Sequence, residues 1–200
     1  MNTYKIFYIC PKFNYMKTKF IIATLVLFCL ISCKDEKANQ PAAPAVTEYA
    51  DQFQFIMEIT VEKDDTMHFY YTTDGTQNFT EKNRIELKVT GSTDPQNVVV
   101  NLPANVIPTA IRLDLGFGKN PDQSDIDFKR FKLSYNGEVF EAQGNQVFDY
   151  FYPIQDNSKR LEGSNKLQKL DKNQISGPVL YPNENLIAKI KQITTGVATK

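Results

Sequence analysis

The sequence predicts an all-β domain, an antiparallel β-sandwich of jelly-roll type, and three observations predict it. Apolar residues alternate with polar ones in several short runs, Asn, Asp, Gly and Pro cluster between those runs, and no helical periodicity intervenes before the C-terminal end. Successive side chains of a strand point to opposite faces, so this alternation is what a half-buried strand requires. Without helices between the runs there are no crossovers to build a parallel sheet, and antiparallel pairing follows. A closed barrel has the same turn spacing and is the alternative architecture.

The elements follow in chain order. Phe53, Phe55, Met57, Ile59 and Val61 alternate with Gln54, Glu58, Thr60 and Glu62. Beyond the Asp64-Asp65 turn the pattern repeats at Met67, Phe69 and Tyr71, then at Ile85, Leu87 and Val89. Further strands are predicted at Val98 to Leu102 and Ala110 to Leu115. Between Ile126 and Tyr135 the phase changes: Ile126 and Phe128 lie in one phase, Phe131, Leu133 and Tyr135 in the other, and a β-bulge near Lys129-Arg130 restores one buried face. Asn136-Gly137 then predicts a tight hairpin, because both residues tolerate positive φ. Val147 to Tyr152 reads as one more strand, and Asn183 as the cap of a short helix with Leu186, Ile187, Ile190 and Ile193 on the face that packs across the sandwich.

The first fifty residues read differently. Met16-Lys17-Thr18-Lys19 is a basic start followed by an apolar run from Phe20 to Ile31. About 12 apolar residues rise about 18 Å as a helix, short of the about 30 Å hydrocarbon core, so a cleaved signal is favoured over a permanent span. Leu30-Ile31-Ser32-Cys33 resembles the lipobox of bacterial lipoprotein signal peptides. The resemblance implies cleavage before Cys33 and lipid, palmitate included, on its thiol; the bland alternative is an incidental thiol at the end of an uncleaved anchor. Lys34-Asp35-Glu36-Lys37 resembles the acidic export signal of Bacteroidetes surface lipoproteins, which implies the outer leaflet of the outer membrane; its periplasmic face is the alternative. Residues 38–50, rich in Ala and Pro, form a tether. The expected organisation is therefore a signal peptide over 1–32 starting at Met16, a lipidated Cys and tether over 33–50, a β-sandwich over 51–194 and a disordered tail over 195–200. Residues 1–15 reflect an upstream start or an extended basic region.

Charge and residue usage narrow the function. Of the 23 basic residues four, Lys5, Lys12, Lys17 and Lys19, lie before Cys33, which leaves nineteen against 23 acidic ones in the remainder. A mildly acidic domain without a basic run gains nothing from phosphate neutralisation, so nucleic acid is not an expected partner. The three cysteines are Cys10, Cys29 and Cys33, all outside the folding region, so no disulfide framework or zinc spacing exists there. One histidine, His68, sits inside a strand pattern and offers no Ser-His-Asp set. Asp122, Ser124, Asp125 and Asp127 form the densest oxygen cluster, but the spacing of a calcium loop is absent and a solvated turn is the simpler reading. Glu58 and Glu86 fall on polar strand faces, and nothing marks them as a hydrolytic pair. No metal and no cofactor is expected, and no catalytic residue is assigned.

Aromatic usage is the more informative feature, with 14 Phe and 10 Tyr but no Trp. In Phe148-Asp149-Tyr150-Phe151-Tyr152 aromatics point to both faces of a strand, so one face is left for stacking against a sugar ring. The segments VVVNLP, IRLDLG and IDFKRFKL, in that order, resemble carbohydrate-binding-module-like β-sandwich domains. That resemblance implies a glycan on a polar sheet face or loop, with Arg112 and Asp114 of the second segment as hydrogen-bonding residues beside Tyr150 and Tyr152. The bland alternatives are a cross-strand salt bridge for the charged pair and burial for the tyrosines. The expected function is a membrane-anchored, non-enzymatic binding or structural module, with glycan as the first ligand class, an envelope protein as the alternative partner and hydrolysis as the third reading.

Overall fold

A computed structural model describes residues 52–196. The lipobox, the export-signal residues and the tether lie outside the described residues, as do 197–200.

The described chain is a two-sheet antiparallel sandwich, as the alternation predicts. Its strands are β1 (Gln54–Val61), β2 (Asp65–Thr72), β3 (Arg84–Val89), β4 (Ser92–Asn101), β5 (Ala110–Asp114), β6 (Ile126–Tyr135), β7 (Glu138–Gln143), β8 (Phe151–Pro153), β9 (Ser158–Arg160), β10 (Lys166–Lys169) and β11 (Val179–Pro182). One sheet has six strands in the order β4-β1-β6-β10-β9, with β7 also paired to β6. The other has five in the order β3-β2-β5-β11-β8. The described chain changes sheets seven times, between β1 and β2, β3 and β4, β4 and β5, β5 and β6, β7 and β8, β8 and β9, and β10 and β11. At the second crossing no side chain fits, because a Cβ on Gly91 would lie 2.6 Å from the Glu62 carbonyl oxygen.

The alternating apolar residues meet between the sheets. Phe53, Phe55, Met57, Ile59 and Val61 of the first run are all buried, as are Met67 and Phe69 of the second. Phe55 on β1 packs against Phe69 of the opposite sheet at 5.3 Å between ring centroids and against Phe131 of its own sheet at 5.9 Å. Phe151 on β8 closes the cluster, edge-on to Phe131 at 5.2 Å. Each such side chain contributes roughly 1.5–3 kcal/mol through the apolar surface removed from water.

The phase change in β6 is a bulge. Pairing with β1 passes from Glu58 opposite Arg130 to Ile59 opposite Phe128, so Lys129 is the extra residue and Phe128 and Phe131 both face the core. The Asn136-Gly137 hairpin joins β6 to β7 with φ of 49° and 81°, the pair of left-handed residues that suits the right-handed twist of strands. The helix α1 (Glu184–Thr195) also forms: the Asn183 side chain accepts from the Leu186 N–H at 3.2 Å, and Leu186, Ile190 and Ile193 join the buried cluster while Ile187 is half-buried. It ends one residue into the stretch expected as tail, with Gly196 in the left-handed conformation. No helix among the described residues is long and apolar enough to cross a membrane.

One predicted strand needs correcting. Val147 to Tyr152 is a 3-10 turn over Gly144–Asp149 followed by the three-residue β8. Gly144, at φ 59°, turns the chain out of β7, and the side-chain amides of Asn183 and Asn185 both donate to the Asp149 carbonyl, at 2.7 and 2.9 Å, where a strand would need a ladder partner.

Candidate functional site

The outer face of the five-stranded sheet carries an unusual row of side chains. Along β2 and β5 the apolar residues point inward, which turns His68, Tyr70, Arg112 and Asp114 outward. Strand register then sets Arg84 beside Tyr70 and Tyr70 beside Arg112, while on the far side Tyr181 of β11 stands opposite Tyr152 of β8. The Arg112 guanidinium joins the two halves: it lies 4.8 Å from the Tyr70 ring centroid and 5.1 Å from that of Tyr181. The result is a transverse row, Arg84, Tyr70, Arg112, Tyr181, Tyr152, crossing all five strands.

Arg112 and Asp114 are two residues apart on one strand and bind each other directly. Arg112 Nε donates to Asp114 Oδ1 at 2.7 Å and Nη2 to Oδ2 at 2.6 Å, and Nη1 donates to the Tyr181 hydroxyl at 3.2 Å. The pair is therefore an intrastrand fork, neither a cross-strand bridge nor a set of free donors. Asp114 is 5% exposed at its side chain and Arg112 23%. Burial pushes the Asp114 carboxyl above the usual carboxylate value, against the pull of Arg112's hydrogen bonds and charge. Chemically, the pair fixes the Tyr181 ring by stacking and by its hydroxyl. Phe79 meets the same ring edge-on at 5.5 Å, and the Tyr70 hydroxyl donates to Glu81 at 2.9 Å, so the row is held from the β2–β3 loop as well.

The free end of the row opens into a groove of about 830 Å³ lined by Tyr152, Tyr181, Leu170, Gln155, Asp156 and Lys159 among others. It lies where the chain crosses from β8 to β9. Tyr152 is 46% exposed and its ring stands 6.2 Å from that of Tyr181, tilted by 41°. Of the four residues the sequence nominates, Tyr152 lines this groove, Arg112 and Asp114 stand behind its wall, and Tyr150 lies elsewhere. Tyr150 packs between Phe131 and Phe140 at 5.8 and 4.9 Å, because the 3-10 turn redirects it toward the core.

The remaining candidates separate. Asp127 pairs with Lys129 at 2.6 Å and Asp125 accepts from Gln168 at 2.7 Å, while Ser124 accepts from the Glu62 N–H at 3.0 Å. Around them lies a smaller hollow of about 260 Å³, and among the described residues no group of three His, Cys, Asp or Glu side chains converges as metal ligands would. Glu58 is bound by Arg130, which also donates to Glu141 at 3.1 Å. Glu86 is half exposed beside His68 on β3.

Tyr181, Leu170 and Lys159 escaped the sequence reading. They lie on β9–β11 and the adjoining loop, where strands of three or four residues are too short to show alternation. The Val179-Leu180-Tyr181 stretch before Pro182 was the available signal. Compared with protein-family models, with curated proteins and with solved structures, this chain has no match in any of the three.

Proposed function

We propose that this domain is a non-enzymatic binding module, held at the outer membrane by lipid on Cys33, whose groove takes up a glycan. The observation that carries the reading is the Tyr152–Tyr181 pair at the mouth of the groove, one ring freely exposed and the other locked by Arg112 and Phe79. Fixed aromatic rings offer apolar faces to the C–H surfaces of a sugar at little entropic cost, and their hydroxyls, with Gln155, Asp156 and Lys159, offer hydrogen bonds around it. Arg112 and Asp114 act in this reading by positioning Tyr181 rather than by touching the ligand. Among the described residues Asp156 is the one acid in the groove lining, which supports binding over glycoside hydrolysis, since the latter uses two flanking carboxyl groups.

Calorimetry of the full chain in detergent with neutral and acidic oligosaccharides tests the reading. Binding by the wild type that falls at least about tenfold in both Tyr152→Ala and Tyr181→Ala supports it, as about 1.4 kcal/mol for a lost stacking partner implies. Binding that neither substitution weakens, or none to any saccharide, sinks it. One observation favours an envelope protein as the alternative partner: Leu170, 51% exposed, adds an apolar side chain to the groove that a sugar does not need. The anchor is tested separately, by fatty-acid labelling of wild type and Cys33→Ala, and its leaflet by protease added to intact cells. Equal label in both proteins removes the lipidation, and protection of the domain until the outer membrane is breached moves it to the periplasmic face.

A further inference from the structure

His68 stands in the middle of β2, opposite Glu86 of β3 on one side and Asp114 of β5 on the other. It is 1% exposed, and neither ring nitrogen has a hydrogen-bond partner. The nearest acceptor, Glu86 Oε2, is 3.9 Å from Nε2, beyond bonding reach. Both Asp114 oxygens already accept from Arg112. On the solvent side the ring is covered by Phe117, at 4.4 Å between centroids and a tilt of 40°.

We propose that Phe117 is a pH-operated cover over His68, seated while the imidazole is neutral and displaced when the ring takes up a proton. The neutral ring has one N–H to satisfy and the imidazolium has two, together with a charge. Once the ring is charged, the donor on Nε2 faces the half-exposed Glu86 carboxylate 3.9 Å away, but Nδ1 has no polar partner, and water admitted by displacing Phe117 supplies one. The charged groups that face the imidazole are Glu86 and Arg84 from β3, Asp114 from β5, and Glu81 from the 3-10 turn (Glu81–Asn83) before β3. The three carboxylates favour the cation and the Arg84 guanidinium opposes it. Burial, the largest influence, holds the imidazole below its ordinary value near 6.5, so the cover works below that pH.

The backbone that carries Phe117 is fixed, and only its side chain has room to swing. Phe117 lies between Gly116 at φ 132° and Gly118 at φ 86°, and it is itself 48% exposed, so swinging it outward gives up little burial. Its base is tied down, with the Gly177 N–H donating to the Gly116 carbonyl at 2.7 Å, Phe117 bridged to Ser176, and the Phe117 backbone N–H donating to the Asp65 carboxylate. Displacement uncovers the outer sheet face beside the Arg112–Asp114 fork, and it does not depend on what the groove binds.

The test uses the full chain in detergent micelles, with ¹³C-labelled histidine and fluorinated phenylalanine. The chain's single histidine gives one ring signal, and Phe117→Leu identifies the Phe117 fluorine signal. The proposal expects the His68 ring to titrate below 6.5 in the folded protein, the Phe117 signal to move with the same midpoint, and His68→Gln to abolish that movement. It also expects Phe117→Ala, a change at an exposed position, to raise the His68 midpoint by roughly half a unit or more as water reaches the ring. A Phe117 signal that stays still while His68 titrates, one that moves unchanged in His68→Gln, or a His68 midpoint unmoved by Phe117→Ala overturns it. So does a ring that titrates only as the β-sheet signal is lost. Should His68→Gln not fold, the Phe117→Ala midpoint decides alone.

Discussion

Removing one partner of the Arg112–Asp114 fork should cost far more than removing both. Asp114→Ala takes away both carboxylate oxygens and leaves a guanidinium confined between the Tyr70 and Tyr181 rings. Stranding one member of a buried ion pair costs about 3–5 kcal/mol. Because Arg112 keeps 23% side-chain exposure, water recovers part of its solvation, and about 2–3 kcal/mol is the expected loss. With a urea dependence of about 2 kcal/mol per molar for a domain of this size, the unfolding midpoint should fall by about 1–1.5 M. Arg112→Met/Asp114→Leu replaces the pair by apolar groups of similar volume and should cost about 1 kcal/mol or less. Urea melts of Arg112→Met, Asp114→Leu and the double variant, monitored by far-ultraviolet circular dichroism, complete the cycle, with Asp114→Ala as the stranding control. A double variant as unstable as the sum of the singles, or an Asp114→Ala midpoint within about 0.2 M of the wild type, refutes the view that the fork is a mutually dependent unit.

The other predictions concern the core, the hairpin and pH. Phe131→Ala, at a fully buried ring touching Phe55, Phe140, Tyr150 and Phe151, should cost about 3–5 kcal/mol in the same melts; a loss under about 1 kcal/mol means that the site collapses or is not central. Gly137→Ala, which forces a side chain into φ 81°, should cost about 1–2 kcal/mol, and a neutral result argues against the left-handed turn. For His68 the folded state binds its proton less readily than the unfolded chain, so its contribution is complete above about 6.5 and is lost as pH falls from there toward the lowered folded value. The urea midpoint should therefore drop more steeply between pH 7.5 and 5.5 in the wild type than in His68→Gln, and equal slopes would remove His68 as the cause.

Much of the fold was legible because burial imposes a period. The four alternating inward residues of β1, Phe55, Met57, Ile59 and Val61, the displaced phase around Lys129 and the left-handed pair at Asn136-Gly137 each leave a local trace that needs no knowledge of the partner strand. The segment over Phe148 to Tyr152 was misread because a run of aromatics satisfies a strand pattern in either phase. What bent it were two asparagines more than thirty residues downstream, at 183 and 185, and sequence spacing does not reveal such contacts. The same blindness explains the site. Arg112 and Asp114 were correctly set on one polar face, but whether a charged side chain greets solvent or its neighbour two residues away depends on the rings that enclose it. Those rings, Tyr70 and Tyr181, come from strands on either side.

The position of β1 bears on how the domain withstands force. The described chain enters its fold through β1, which has a hydrogen-bonded neighbour on both sides, β4 and β6, along nearly its whole length. A pull delivered from the N-terminal side cannot peel this strand away one bond at a time, as it could an edge strand; it must slide β1 against two ladders together while drawing Phe53 and Phe55 out of the core. Amides along β1 should for the same reason exchange with solvent only when the whole sandwich opens, and protons there that exchange as fast as those of the β9 edge would show that the strand can be stripped by itself. The N-terminal end of this domain is thus held by two ladders at once.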